Sequence, residues 1–217
     1  MREAKLQPNV ISYSAGISAC RDAEQWQHAL SLFNDMRQDN WEPNVLSYSA
    51  GISSFEKCGQ WQRALALLDE MQEASHEPDV TCFNAVISVC DKGWQWQRAL
   101  GLLCDMSEAK LEPNVISYSA VISASEKGGR WQLAVSLMRE MREVRIEPNE
   151  ISYSAGMCAC WRGGRWQWAQ SLFSEMSEAK VEASVVSSPP WTSLEARSET
   201  DQMRPKTSIL EPQPWDL

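Results

Sequence analysis

Polar side chains that can form directed hydrogen bonds recur along this 217-residue chain at a constant interval of 35 residues. One column follows a proline each time and consists of Asn9, Asn44, Asp79, Asn114 and Asn149. A second column lies five residues further along and consists of Ser14, Ser49, Asn84, Ser119 and Ser154. Amide, carboxylate and hydroxyl groups donate to or accept from the polar edge of a ligand. Hydrogen bonding is thus the chemistry open to both columns, and the asparagines and aspartate are also favoured helix N-caps.

A third column carries positive charge and has the same interval: Lys57, Lys92, Lys127 and Arg162. Asp22 takes its place in the first unit. A row of cations along one side of a protein attracts an anionic ligand even when the total charge is negative. The same cations would also suit solvated positions near helix C-termini, where positive charge complements the helix dipole. Both interpretations stay open from the sequence alone.

The composition argues against several other classes of protein. The formal net charge is -9 and the isoelectric point is near 4.8, which disfavours a protein that coats DNA or binds membranes through basic patches. No stretch of 18 apolar residues is present to suggest a membrane-spanning helix. The two histidines and seven cysteines do not cluster at ligand spacing, so we expect no metal and no cofactor. Without a titratable constellation we also expect no enzymatic activity.

Tryptophan, proline and methionine columns repeat with the same 35-residue period, which indicates an internal repeat. We frame five repeats, the last of them degenerate, as residues 10–44, 45–79, 80–114, 115–149 and 150–184. Residues 1–9 match the end of a repeat, so we interpret them as the remnant of a preceding unit and the chain as a fragment of a longer array. Residues 185–217 are rich in serine, proline and polar side chains, and we expect a disordered tail there.

Each repeat is predicted to form two helices. The Asn/Asp column provides N-caps for the first helix, which should run for about twelve residues, for example over 45–56. Gly59, Gly93, Gly128-Gly129 and Gly163-Gly164 are expected to end it, because glycine takes the left-handed conformation without a clash. The second helix starts at the tryptophan and carries a wide apolar stripe. Stacking of helix pairs would bury that stripe, which predicts an all-α, right-handed α-solenoid of five helix-turn-helix repeats.

The repeat resembles the pentatricopeptide repeat family over residues 10–184. The third repeat carries the resemblance most clearly, through Phe83-Asn84, Gly93, Ala99-Leu-Gly-Leu-Leu103, Met106 and Pro113-Asn114. The resemblance implies sequence-selective binding of single-stranded RNA with one base per repeat. It also implies a role in organellar RNA processing, stability or editing without catalysis, in a chloroplast or mitochondrion, although this chain shows no targeting segment. Neither DNA nor a membrane is an expected partner.

The resemblance also assigns roles to individual residues. The implied base readers are the fifth and last residues of each repeat, paired as Ser14 with Asn44, Ser49 with Asp79, Asn84 with Asn114, and Ser119 with Asn149. The implied base-sandwiching residues are Ile11, Leu46, Thr81, Ile116 and Ile151. The cationic column Lys57, Lys92, Lys127 and Arg162 would contact phosphates. The implied base order is an A-like purine, G, a C-like pyrimidine and A, from 5′ to 3′.

Two alternatives remain open at this level. The Asn/Asp column would exist as N-caps in any helix-pair repeat, and the Ser/Asn column could be small polar residues that bond to nearby backbone. A solenoid of this kind could also serve as a protein-interaction scaffold whose concave groove takes a peptide or a partner helix. The acidic net charge keeps that second function in consideration.

Overall fold

The computed structural model describes residues 9–22 and 25–179, and within them the chain forms ten α-helices. Their bounds are α1 Val10–Asp22, α2 Trp26–Gln38, α3 Val45–Ser53, α4 Trp61–Glu73, α5 Val80–Lys92, α6 Trp96–Glu108, α7 Val115–Lys127, α8 Trp131–Glu143, α9 Glu150–Arg162 and α10 Trp166–Glu178. A short 3₁₀ segment, Glu56–Cys58, follows α3. The predicted repeat remnant at 1–9, apart from its last residue, and the predicted tail at 185–217 lie outside the described residues.

The helices form the predicted right-handed α-solenoid, in two layers. Each odd-numbered helix packs against the even-numbered helix of its own pair, against the even-numbered helix before it and against the next odd-numbered helix. Among the described helices, no two even-numbered ones make contacts of comparable extent. The odd-numbered helices contact one another and are therefore closer together along the stack than the even-numbered helices. The odd-numbered layer thus forms the concave side. No described helix combines the length and apolar character needed to cross a membrane.

The repeating apolar columns form the core between the layers. The alanine column is almost fully buried, which allows the two helices of each pair to approach closely, and it consists of Ala29, Ala64, Ala99, Ala134 and Ala169. The methionine column near the end of each second helix is buried as well. Tyrosine hydroxyls at the start of the odd helices donate to carboxylates on the even helices, as Tyr48 does to Glu70 at 3.0 Å and Tyr118 to Glu140 at 2.8 Å. Each repeat is therefore joined internally by apolar contacts and by such hydrogen bonds.

The glycines after the odd helices confirm the sequence-based expectation in part. Gly59, Gly129 and Gly164 have the left-handed φ that we expected, at 60°, 67° and 68°, whereas Gly93 has a φ of -82° that any residue can adopt. The left-handed residue of the third repeat is instead Trp94, with a φ of 61°. A Cβ on Gly93 would come within 2.7 Å of Cδ1 of Trp61, so this position needs a glycine because the preceding tryptophan packs there. Gly128 and Gly163 have the same relation to the tryptophan of the repeat before.

The first helix of the second repeat is shorter than predicted. It ends at Ser53, and the chain continues through the 3₁₀ segment to Gly59. Cys58 occupies the position at which the following repeats have the tryptophan-packed glycine. A Cβ at the equivalent Gly93 would come within 2.7 Å of Trp61, so a side chain at position 58 disfavours the same packing by Trp26. The Trp26 ring lies 6.3 Å from that of Phe55 between centroids. We infer that this substitution contributes to the early end of α3.

Candidate nucleic-acid interface

A row of exposed aliphatic side chains runs along the first turns of the odd-numbered helices. The second residue of each repeat forms it: Ile11 is 76% exposed, Leu46 62%, Ile116 58% and Ile151 60%. Thr81, also exposed, takes this place in the third repeat. Large aliphatic side chains left in water at one site are ordinary, but a periodic row on one layer indicates a surface that binds something. The structure thus places all five predicted base-sandwiching residues at the surface.

The last residue of each repeat caps the next odd-numbered helix. Asn44 Oδ1 accepts the backbone N–H of Ser47 at 2.9 Å, and Asp79 Oδ1 accepts that of Cys82 at 2.8 Å. Asn149 does the same for Ser152 at 3.0 Å. Because a backbone N–H requires an acceptor, the cap fixes each asparagine with its oxygen inward. The group left for a ligand is therefore the amide NH₂ of each asparagine and the second carboxylate oxygen of Asp79.

The fifth residue of each repeat is more buried than a freely accessible reader would be. Ser14 is 2% exposed, Asn84 9% and Ser119 4%, while Ser49 is partly exposed. The hydroxyls of Ser14 and Ser119 each donate to the backbone carbonyl four residues earlier, at 2.8 and 2.6 Å. Such local bonds are typical of small polar residues in helices. The backbone-bonding interpretation from the sequence therefore describes part of what these side chains do.

Two of the predicted reader pairs are in direct contact. Asn84 Nδ2 donates to Asn114 Oδ1 at 3.3 Å, and Ser119 Oγ lies 3.2 Å from Asn149 Oδ1. Residues 30 positions apart in the sequence thus meet at the boundary between two consecutive repeats. We call each of the four boundaries between repeats a junction. The fold brings together the side chains that the resemblance pairs.

The sequence reasoning missed a third participant in every junction, the third residue of the following repeat. Its side chain is completely buried at all four junctions, where it is Ser47, Cys82, Ser117 or Ser152. Ser47 Oγ lies 2.8 Å from Ser14 Oγ and donates to Asn44 Oδ1 at 2.9 Å. The periodic Ser-Tyr-Ser-Ala string contained the signal, but its first serine could be interpreted as part of a cap.

Two members of the cationic column form ion pairs with the preceding repeat. Lys127 Nζ lies 2.8 Å from Asp91 Oδ2, and Arg162 lies 2.7 Å from Glu126 Oε1. Lys57 and Lys92 have exposed side chains. Lys92, Lys127 and Arg162 are the last residues of their helices, and Lys57 lies in the 3₁₀ segment that follows α3.

Cysteine chemistry contributes little to this surface. Burial raises the pKa of Cys82, Cys90 and Cys160 to about 11, so their thiols stay protonated at neutral pH. Within residues 9–22 and 25–179, no three histidine, cysteine or acidic side chains are grouped closely enough to hold a metal ion. What the described groups can offer a ligand is hydrogen bonding, stacking against aliphatic side chains and positive charge.

Models of pentatricopeptide repeats match the chain along most of the described solenoid. A pentatricopeptide repeat domain model matches residues 101–165, a PPR repeat family model matches 8–57, and a PPR repeat model matches 47–76 and 151–181. Together these matches cover well over half of the chain. No curated protein sequence matches it.

Several solved structures have a similar fold. The pentatricopeptide repeat protein PPR10 in complex with an 18-nt psaJ RNA element is 22% identical, with a TM-score of 0.64 over 92% of this chain and 34% of that one. A structure of PPR10 from maize is 23% identical, with a TM-score of 0.65 over 97% of this chain and 31% of that one. This chain therefore spans about a third of the length of PPR10.

A second relative matches over nearly its whole length. The PPR domain of Arabidopsis thaliana protein-only RNase P 1 in complex with tRNA is 13% identical, with a TM-score of 0.70 over 86% of this chain and 95% of that one. The family models, the 35-residue period and the stacked helix pairs agree with one another. The chain belongs to the pentatricopeptide repeat family.

Proposed function

We propose that this protein binds single-stranded RNA on the concave layer of odd-numbered helices, with one base per repeat. The observation that carries the proposal is the row of exposed aliphatic second residues beside the row of capping residues. Bases could stack between the aliphatic side chains of consecutive repeats while each polar edge meets a capping residue. The RNA and tRNA bound by PPR10 and by the PPR domain of protein-only RNase P 1 support this proposal.

The orientation of each capping residue predicts which base its repeat prefers. An asparagine with its oxygen inward presents N–H donors, which match the ring acceptors N1 of adenine and N3 of cytosine. Asp79 presents an acceptor, which matches the imino N–H of guanine or uracil. Asn44, Asn114 and Asn149 would then select A or C, and Asp79 would select G or U. The family resemblance also implies that a serine at the fifth residue prefers a purine. Together these preferences give the base order A, G, a C-like pyrimidine and A.

Binding of this kind requires no catalysis by the chain itself. By its family, we place the protein in organellar RNA processing, stability or editing, in a chloroplast or mitochondrion. Family membership alone supports that cellular role. Four bases occur by chance about once in 250 nucleotides, so such a site would need further contacts to define one transcript.

The direct test is selection of the full chain against a random pool of single-stranded RNA at low salt. Enrichment of the A, G, pyrimidine, A core is expected. Asn84→Ala combined with Asn114→Ala should then cost about 1–3 kcal/mol of binding free energy for the third base only. Equal weakening on every sequence would contradict base reading, and no enrichment by a folded chain would contradict RNA recognition.

A protein-interaction scaffold is the second candidate, and the charge distribution favours it. The net charge is -9, and Lys127 and Arg162 already have carboxylate partners. An amphipathic helix with basic residues could pack its apolar face on the exposed aliphatic row.

The salt dependence of RNA binding separates the two functions. If Lys92 contacts phosphate, Lys92→Gln should lower the slope of log K against log salt by about one unit.

A further inference from the structure

Every junction between repeats contains a buried group that touches both predicted reader residues without reaching the surface. At the junction of the third and fourth repeats this group is Ser117, which is 0% exposed. Its Oγ donates to Asn84 Oδ1 at 2.5 Å and accepts the backbone N–H of Asn114 at 3.1 Å. Asn84 Nδ2 in turn donates to Asn114 Oδ1 at 3.3 Å. The three side chains form a closed set of hydrogen bonds.

A related arrangement occurs at two further junctions. Ser152 Oγ lies 2.7 Å from Ser119 Oγ and 3.0 Å from Asn149 Oδ1. Ser47 Oγ lies 2.8 Å from Ser14 Oγ and 2.9 Å from Asn44 Oδ1. Because the hydroxyls of Ser14 and Ser119 donate to the backbone, the single proton of Ser47 or Ser152 bonds one of its two neighbours at a time. Each of these hydroxyls therefore restricts the orientation of the readers beside it.

We propose that the third-residue serine of each repeat is a positioning residue that sets base selectivity for the repeat before it. This inference rests on the proposed RNA-binding function and adds a determinant to it. The dependence is strongest at Asn84, whose amide is held by Ser117 on one side and Asn114 on the other. Without the Ser117 hydroxyl, the buried Oδ1 of Asn84 loses its donor and the amide is no longer held in one orientation. A less firmly held amide presents its polar atoms to a base in several orientations, which relaxes the match to a single base.

One junction of the chain has a different residue in place of the positioning serine. Cys82 takes the place of the serine at the junction of the second and third repeats, and its thiol is also fully buried. A thiol is a weak hydrogen-bond donor and acceptor. Ser49 and Asp79 are therefore held less firmly than the other reader pairs. The base read by the second repeat should be the least strictly selected of the four.

The experiment compares Ser117→Ala with Ser125→Ala in the full chain. Ser125 is a matched control because it lies in the same helix, is also 0% exposed, and its hydroxyl donates to the Val121 carbonyl at 2.7 Å instead of to a reader residue. Binding is measured to four short RNAs that carry A, C, G or U at the third base within a fixed A, G, N, A core. A second set of RNAs varies the fourth base in the same way.

Ser117→Ala should reduce discrimination at the third base about five- to tenfold, as expected for one lost hydrogen bond to a buried group. Discrimination at the fourth base should not change, because Ser119, Asn149 and Ser152 are untouched. Ser125→Ala should leave both discriminations intact even if it lowers the melting temperature. Unchanged discrimination in Ser117→Ala, or an equal loss at both bases, would overturn the proposal.

Two further variants keep the test independent of folding defects. Ser117→Cys copies the natural second junction with nearly the same volume and should also relax the third base. Cys82→Ser should sharpen selection of the second base, and a gain of selectivity cannot arise from misfolding. No sharpening by Cys82→Ser would overturn the proposal. If the unsubstituted chain discriminates at no base, the proposed RNA reading itself fails and this inference fails with it.

Discussion

The second and fourth repeats begin with nearly the same fifteen residues but fold them differently. Residues 45–59 read VLSYSAGISSFEKCG, and residues 115–129 read VISYSAVISASEKGG. The helix of the fourth repeat continues to Lys127, whereas that of the second ends at Ser53. The substitution with the clearest tertiary consequence is Cys58 in place of Gly128. Where a helix ends thus depends on whether the preceding tryptophan finds room against the chain.

Local hydrogen bonding adds to the difference. Ser54 Oγ donates to the Gly51 carbonyl at 2.6 Å, within the last turn of α3. A serine that bonds to nearby backbone competes with the helix ladder, and Gly51 has a weak helix propensity. The fourth repeat has Ala124 and Val121 at those positions. Both the local sequence and the tryptophan contact therefore favour an earlier helix end in the second repeat.

The largest expected effect comes from placing a side chain at the tryptophan-packed glycine of the fourth repeat. Gly128 has a φ of -74°, so alanine is allowed by the backbone, but its Cβ would clash with the Trp96 ring. Gly128→Ala should lower the free energy of unfolding by about 1–3 kcal/mol, the usual cost of overpacking. Urea denaturation measures this value.

Gly101→Ala is the matched control for that substitution. Gly101 lies in α6, and a Cβ there would meet nothing within 4 Å. This variant should raise the free energy of unfolding by about 0.5–1 kcal/mol through helix propensity. If both variants were stabilised alike, the clash with Trp96 would not be what requires a glycine at position 128.

The reverse substitution should make the second repeat resemble the fourth. Cys58→Gly opens space for Trp26, so α3 should extend toward Lys57 and its last amide protons should exchange more slowly with solvent. We expect a gain of roughly 1 kcal/mol or less in stability, because glycine also increases the entropy of the unfolded chain. Hydrogen exchange of residues 54–58 measures the extension.

Cys58→Ala separates the steric effect from loss of the thiol. Alanine keeps the Cβ, so this variant should leave α3 ending near Ser53. An extension of the helix in Cys58→Ala as large as in Cys58→Gly would show that the packing of Trp26 does not determine the helix end.

The last expected effect is absent at neutral pH, appears only in alkaline solution, and contrasts the odd repeats with the even ones. Phe55 and Ser125 occupy the eleventh residue of the second and fourth repeats, where Cys90 and Cys160 occur in the third and fifth. Burial raises the pKa of both thiols from 9.0 to about 11 in the folded protein. The folded chain therefore keeps protons that the unfolded chain releases. Stability should be fully present below pH 9 and should decrease as the pH rises from 9 to 11.

Melting temperatures between pH 8 and 11 test this prediction. Cys90→Ala combined with Cys160→Ala should flatten the alkaline decrease in melting temperature. Each substitution also lowers stability at pH 8, because alanine is smaller than cysteine. Cys104→Ala, at an exposed position, is the control and should keep the slope of the unsubstituted chain. An alkaline slope unaffected by the double substitution would assign the pH dependence to other groups.

The period of 35 residues made most of the fold predictable. The caps were visible from the sequence because Asn and Asp followed a proline and preceded an apolar run in every repeat, and all four internal caps form. The aliphatic second residues were placed at the surface as the resemblance implied. Helix starts at the tryptophans were also correct, since each marks the beginning of an even-numbered helix.

Contacts between repeats were beyond the reach of sequence reasoning. Gly93 could be recognised as a helix-ending residue, but the sequence did not reveal that Trp61 of the preceding repeat packs on it. The burial of Ser14, Asn84 and Ser119 was missed for the same reason, because each is covered by the next repeat. The ion pair of Lys127 with Asp91 also joins neighbouring repeats. Residues about 32 to 36 positions apart carry these interactions.

The sequence by itself determined the period, the helix pairs, the caps and the family, because these follow from local propensity and from apolar spacing within one repeat. The tertiary structure decided how α3 ends, which glycines must lack a side chain, and which polar atoms at each junction remain for a ligand. Those outcomes depend on whether groups from two repeats fit together in space. Ser117, which reads as a simple helix-capping residue in the sequence, becomes the centre of a three-residue hydrogen-bond set only when two repeats stack.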